Sequence, residues 1–196
     1  MPRTPEQFEK MREVKRRQIM ETALELFAGK GYHNTSISMI ASGAGISKGL
    51  MYNYFKSKED LIKSIFNKGV DQLIGLFDPN KDGVLTQEEF DFFVDRTFQN
   101  LKENKTYWKL YFSIIMQPGI YEMVSETYQD IIQTSLQILI EYYQKQGVED
   151  PQSEAMLFGA VMDGLSINYL LNPDMFPLDK YKQSIIDRFA HKKNKE

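Results

Sequence analysis

The sequence predicts an all-α chain. Three observations carry that expectation. Apolar residues recur at three- and four-residue spacing along most of the 196 residues, no alternating run is long enough to build a sheet, and the connections between periodic stretches are short. The length suits one sizeable helical domain, or a small domain attached to a larger one. With no cysteine, neither a disulfide frame nor a thiolate metal site is available. The N-terminus mixes charges without an apolar signal core, and no apolar run reaches the length of a membrane span without a charge. The expectation is therefore a soluble, cytoplasmic protein with no membrane partner.

The elements follow in order. A first helix is expected from about Glu13 to Lys30, with Ile19, Ala23, Leu24, Leu26 and Phe27 on its apolar face and Gly31 as its stop. Two short helices come next, in SISMIASG and SKGLMYNYF. Thr35 or Ser36 is placed to cap the first and Ser47 the second. Between them Gly45 can take the left-handed backbone that a tight turn needs. A longer helix runs from Lys58 to Phe77. After the loop DPNKDG, helices are expected at about 87–103, 105–116, 120–146, 152–171 and 178–192, separated by the breaks NK, QPG, GVEDP and NPDMFP.

Charge is unevenly spread within the net −3: residues 1–60 hold ten Lys/Arg against seven Asp/Glu, and the rest hold 14 against 20. A small basic reader carried by an acidic body fits that asymmetry. The reader has a chemical basis in SKG, because a helix that enters the major groove leads with its N-terminal end. Ser47, Lys48 and Gly49 make that end slim, polar and basic. Tyr52 and Tyr54 offer flat bodies with hydroxyl donors for sugar and phosphate, and Lys58 offers a cation for a flanking phosphate. Thr35, Ser36 and Ser38 lie at the N-terminus of the preceding helix, where free amides favour phosphate.

Residues 35–61, TSISMIASGAGISKGLMYNYFKSKEDL, carry the string T-S-I-x-x-I-A-x-x-A-G-I-S-K-G-x-x-Y-x-Y-F-x-S-K-E-D-L. Together with the helix from Ile19, this stretch resembles the helix-turn-helix of the TetR family of bacterial transcriptional regulators. The resemblance implies double-stranded operator DNA as a partner, contacted by Thr35, Ser36, Ser38, Ser47, Lys48, Gly49, Tyr52, Asn53, Tyr54 and Lys58. Met51 stands where leucine is usual, a volume-conserving swap, and Asn53 stands where histidine or a larger aromatic is common. The implied organisation is a helix-turn-helix domain at 1–60 and a helical ligand-binding and dimerisation domain at 61–196.

For the body, the resemblance implies a homodimer through the helices at 152–171 and 178–192. AMLFGAVMDGLSINYLL is apolar over most of its circumference, and Gly159, Ala160 and Gly164 permit close helix approach. It also implies an unknown small-molecule effector, in a pocket with a lining drawn from Tyr107, Trp108, Tyr111, Met116, Met123, Tyr128, Met162 and Asp163. Asp163 is either a pocket anion or a group bonded at the dimer seam. Release of a repressor from its operator by the effector is the expected function, although activators also occur in the family.

One motif stands apart. DPNKDGVLTQEE, residues 78–89, fits D-x-[DN]-x-[DN]-G-x5-E, with oxygen ligands for calcium expected from Asp78, Asn80, Asp82, the Val84 carbonyl, a water near Thr86, and Glu89. Leu85 takes the usual apolar eighth position of an EF-hand loop. Two readings stay open: a calcium loop that modulates the regulator, or a helix connector that keeps the shape without the metal. The alternative function from a different class is a calcium-binding interaction module of the EF-hand type. An enzyme is not expected, because His33 and His191 are placed for no relay, and there is no nucleophile elbow, H-E-x-x-H or P-loop. No cofactor is required.

Overall fold

The chain starts its first helix earlier than apolar periodicity suggests. In the computed structural model, which describes residues 4–190 apart from the side chains of residues 73, 74, 126–128, 130 and 131, α1 spans Pro5–Lys30. The reason is a capping box. Thr4 Oγ1 accepts from the Gln7 amide at 3.3 Å, Gln7 Oε1 accepts from the Thr4 amide at 3.0 Å, and Pro5 occupies the first helical position. Among the described residues the other helices are α2 (Ile37–Gly43), α3 (Lys48–Tyr52), α4 (Lys58–Phe77), α5 (Gln87–Glu103), α6 (Lys105–Ile115), α7 (Ile120–Gln146), α8 (Pro151–Leu171) and α9 (Leu178–Phe189), with no strand. The last helix, expected to reach 192, stops at Phe189 with Ala190 as its cap; positions 191 and 192 lie outside the described residues.

Residues divide into two compact units, one of 1–68 with 110–125 and one of 69–109 with 126–196. In the first, the apolar faces of α1 and α2 and the start of α4 enclose Ile19, Ala23, Phe27, Ile40, Met51, Phe55, Leu61 and Ile62, each at most 1 % exposed. Burying such side chains contributes about 1.5–3 kcal/mol each. Gly43 lets α2 press onto α1, because a Cβ there would lie 2.8 Å from Thr22 Cγ2. Gly45, at φ +64, makes the turn between α2 and α3. The α6–α7 corner buries Tyr111, Ile114, Ile120 and Val124 in this unit, where the Tyr111 ring packs 4.6 Å from that of Phe66 on α4.

Aromatic rings dominate the second unit. Phe90 on α5 stacks on Tyr142 of α7 at 5.5 Å and tilts against Phe158 of α8 at 4.9 Å, while Phe158 meets Phe189 of α9 edge-on at 5.5 Å. Lys182 pairs with Asp95 at 2.6 Å, and Lys102 pairs with Asp179, so α9 is pinned along α5. α8 buries Ala155, Phe158, Met162, Ser166 and Leu170 and turns a second apolar row outward. Met156, Leu157 and Leu171 are 59, 44 and 71 % exposed, alongside exposed Ala160 and Asp163. No helix among the described residues is long and apolar enough to cross a membrane.

Candidate nucleic-acid interface

Each short helix of the head is started by a serine. Ser36 Oγ accepts from the Met39 amide at 3.2 Å to cap α2, and Ser47 Oγ accepts from the Leu50 amide at 3.1 Å to cap α3. One side chain anchors α3: Met51 is fully buried, and the Phe55 ring that follows is held under the Arg16 guanidinium at 4.9 Å. Arg16 also donates to Ser64 Oγ at 3.1 Å, so α1, α4 and the end of α3 are tied together within the first unit. The opposite face of α3 is open. Ser47, Lys48, Gly49, Asn53 and Tyr52, the last 49 % exposed, all face solvent. A Cβ at Gly49 would meet only Ser47 Oγ at 4.0 Å, so the fold itself does not demand glycine there.

Ser36 and Ser38 are exposed at the start of α2, and Tyr54 is half-buried. Two other expected contacts are turned inward. Thr35 is 1 % exposed, and its hydroxyl donates to the Gly31 carbonyl at 2.9 Å and lies 3.2 Å from that of Leu26. It closes the α1–α2 connection, because a buried hydroxyl is stable only where such acceptors exist. Lys58 is half-buried. Its Nζ donates to the Tyr32 carbonyl at 2.8 Å and the Thr35 carbonyl at 2.9 Å, 4.4 Å above the Tyr32 ring. That burial holds the ammonium below its ordinary pKa. In this arrangement Lys58 braces the connection rather than reaching outward to a phosphate.

A residue that sequence reasoning missed is Gln117, between α6 and α7. Its Oε1 accepts from the Tyr32 amide at 2.9 Å and its Nε2 donates to the Phe27 carbonyl at 3.1 Å. A polar residue in a QPG break looks like surface, and nothing local in the sequence distinguishes it.

The expected pocket lining divides between the units. Tyr111, Met116 and Met123 belong to the first; Tyr107, Trp108, Met162 and Asp163 to the second; the Tyr128 side chain lies outside the described residues. Several are committed elsewhere. Trp108 is buried and donates Nε1–H to Asn100 Oδ1 at 2.7 Å, Tyr111 packs on Phe66, and Met116 is 72 % exposed. Tyr107 and Met123 are half-buried and Met162 is buried; desolvation pushes the Tyr107 phenol up to about 12. Asp163 reaches solvent, yet crowding by neighbouring atoms still raises its carboxyl above the ordinary 3.8. Exposure limits that rise.

The loop between α4 and α5 folds tightly on its own oxygens. Asp78 Oδ2 accepts from the Gly83 amide at 3.0 Å, Asp78 Oδ1 and Asn80 Oδ1 both accept from the Asp82 amide at 3.2 and 3.0 Å, and Asp82 Oδ1 accepts from the Val84 amide at 2.8 Å. Leu85 is 4 % exposed, in the second unit's core. Glu89, however, closes a capping box: its Oε2 accepts from the Thr86 amide and the Thr86 hydroxyl, each at 2.9 Å. Among the described residues no three Asp, Glu or His side chains gather as a metal-ligating group.

A short helix exposing a basic, glycine-containing N-terminal end, set after a glycine turn on a buried partner helix, defines a helix-turn-helix DNA-binding head. Residues 19–65 match the model of the bacterial regulatory proteins of the tetR family, so the chain carries a TetR-type helix-turn-helix domain ahead of a larger helical C-terminal domain. It resembles the fatty acid metabolism regulator protein of Bacillus subtilis (strain 168), at 26 % identity over 190 residues covering 91 % of this chain and 95 % of that protein. Its fold is that of the fatty acid degradation regulator FadR from Bacillus halodurans, with a TM-score of 0.71 at 18 % identity over 99 % of both chains. FadR from Bacillus subtilis in complex with stearoyl-CoA shares the fold at a TM-score of 0.68 and 23 % identity, over 88 % of this chain and 96 % of that one. These relatives are named as regulators, and in this chain residues 19–65 form a helix-turn-helix of the kind found in the bacterial regulatory proteins of the tetR family.

Proposed function

We propose that the chain is a homodimeric repressor that reads a near-palindromic double-stranded operator with α3 and leaves it when a small-molecule effector binds the body. The reader would be residues 1–60 and the effector and dimerisation body 61–196. The observation that carries this reading is the open face of α3: Ser47, Lys48, Gly49, Tyr52 and Asn53 point away from a helix anchored by buried Met51. Dimerisation is supported by the outward row of α8, where Met156, Leu157 and Leu171 stand exposed beside Ala160. A self-complementary pairing covers such a row, and it would set two α3 helices about one DNA turn, roughly 34–36 Å, apart. Kinship with a fatty acid metabolism regulator, and fold likeness to a stearoyl-CoA complex, support a long-chain acyl-CoA as the effector class.

DNA selected from a random pool by the purified protein tests the reading. A mobility shift with the enriched sequence should persist at physiological salt and disappear on adding stearoyl-CoA. Failure to enrich any sequence contradicts the repressor; enrichment without release by stearoyl-CoA removes the acyl-CoA class alone.

The 78–89 loop supports a second property, calcium binding at Asp78, Asn80, Asp82, the Val84 carbonyl, a water near Thr86, and Glu89. The favouring observation is that the loop's own bonds draw three of these side chains together: Asp78 and Asn80 both accept from the Asp82 amide, and Asn80 Nδ2 donates to Asp82 Oδ2 at 3.1 Å. Glu89 would exchange its capping bonds for the ion. Bound calcium would fix the angle between α4 and α5 and so modulate the regulator.

A further inference from the structure

Gln117 uses both ends of its amide on main-chain atoms far away in sequence, at 2.9 Å to the Tyr32 N–H and 3.1 Å to the Phe27 carbonyl. Two oppositely directed bonds from one planar group fix translation and rotation together. Its own backbone is equally constrained: the Gln117 amide donates to the Ile114 carbonyl at 2.9 Å, and its carbonyl accepts from the Ile120 amide at 3.2 Å. Ile114 and Ile120, on either side, are fully buried. The corner between α6 and α7 is thus latched to the end of α1, all within the first unit.

The bonds continue towards the reader. The Tyr32 carbonyl accepts from Lys58 Nζ, which also holds the Thr35 carbonyl, and Thr35 directly precedes the Ser36 cap of α2. α2 leads through the Gly45 turn into α3. In the other direction, α6 and α7 run on into the residues of the second unit. We infer that Gln117 is a positioning residue for DNA recognition: its amide latches the α6–α7 corner to the α1–α2 end of the reader, so that movement of either helix changes operator affinity. This inference rests on α3 being the DNA reader.

Coupling is reciprocal, so DNA binding must be felt at the corner whether or not the effector is known. The experiment is amide hydrogen exchange on the full chain, with and without DNA enriched by selection, for the wild type and Gln117→Leu. In the wild type, DNA should slow exchange in α3 and at residues 114–120 alike. In Gln117→Leu it should slow α3 only, with affinity reduced about tenfold, inside the usual range for coupling between sites. Gln117→Glu supplies the control for a merely space-filling role. Ionised, its carboxylate cannot donate to the Phe27 carbonyl; protonated, it reproduces the amide's donor and acceptor. Because a glutamate is ionised at neutral pH, the variant's affinity should fall as in Gln117→Leu although its shape and the Tyr32 bond are kept. A wild type that retains no selected DNA defeats the DNA reading and the latch together. Retained DNA with no response at residues 114–120, a response that survives in Gln117→Leu, or a Gln117→Glu variant that binds like the wild type defeats the latch alone.

Discussion

Replacing Lys58 by methionine separates a brace from a phosphate contact. The stem keeps its length and packing, and only the ammonium goes. That ammonium makes two bonds, to the Tyr32 carbonyl at 2.8 Å and the Thr35 carbonyl at 2.9 Å, and sits 4.4 Å from the Tyr32 ring. Bonds from a charged donor contribute about 1.5–3 kcal/mol each and the ring contact about 0.5–1 kcal/mol. Against this stands the desolvation that lowers the lysine's pKa, which the substitution relieves. The Tyr32 carbonyl also keeps the Thr35 amide at 3.2 Å, so the Thr35 carbonyl alone loses its partner in that pair. A net loss of about 2 kcal/mol follows, which lowers the melting temperature of a chain this size by roughly 4–8 °C. Thermal unfolding measures it directly. Lys58→Met that melts with the wild type, while DNA binding weakens and its salt dependence flattens, would show that Lys58 reaches phosphate and that the brace is not what holds the connection.

Other expectations follow from the same geometry. Ala160→Glu, in the outward row of α8, should convert a micromolar dimer to monomers by light scattering; a well-folded wild-type monomer removes the proposed seam. Calorimetry should show calcium binding that Glu89→Gln weakens, since glutamine preserves the capping box but not the charge. Heat of binding unchanged by Glu89→Gln, or absent at about millimolar calcium, leaves the loop a connector. Asp163 has a folded pKa above its ordinary 3.8. The native state therefore holds its proton more tightly, the stabilising contribution is present below the ordinary value, and it is lost as pH rises through the raised one. Asp163→Asn should remove that falling slope in stability from pH 4 upward, relative to the wild type; parallel curves would contradict it.

Helix positions were legible because their signals are local. Ser36, Ser47 and Gly45 sit where short-range stereochemistry requires them, and the apolar faces of α5 and α8 repeat at helical spacing. The early start of α1 at Pro5 was also local: Thr4, Pro5 and Gln7 form a capping signature that an apolar count overlooks, since the first turns bury nothing. The exposure of the α3 residues was legible for the same reason, because a residue on α3 is either anchored like Met51 or open like Lys48. What the sequence did not reveal was orientation set by long-range bonds. Thr35 and Lys58 have residue types suited to phosphate, but carbonyls of the α1–α2 connection claim both. Trp108 and Tyr111 have residue types suited to a pocket, but Asn100 and Phe66 claim them. Partners up to 90 residues away, as for Gln117 and Phe27, leave no periodic trace.

If α3 reads DNA through its open N-terminal face, the salt dependence of operator binding must carry the charge of Lys48. Fluorescence anisotropy with the selected sequence should give a slope of log affinity against log salt that is shallower by about 1 in Lys48→Ala than in the wild type, with affinity reduced by about 1–3 kcal/mol and the melting temperature unchanged. Lys48 is exposed and unused by the fold, so no stability loss can masquerade as a lost contact. Identical affinity and slope in the two proteins would show that α3 does not read DNA through this face.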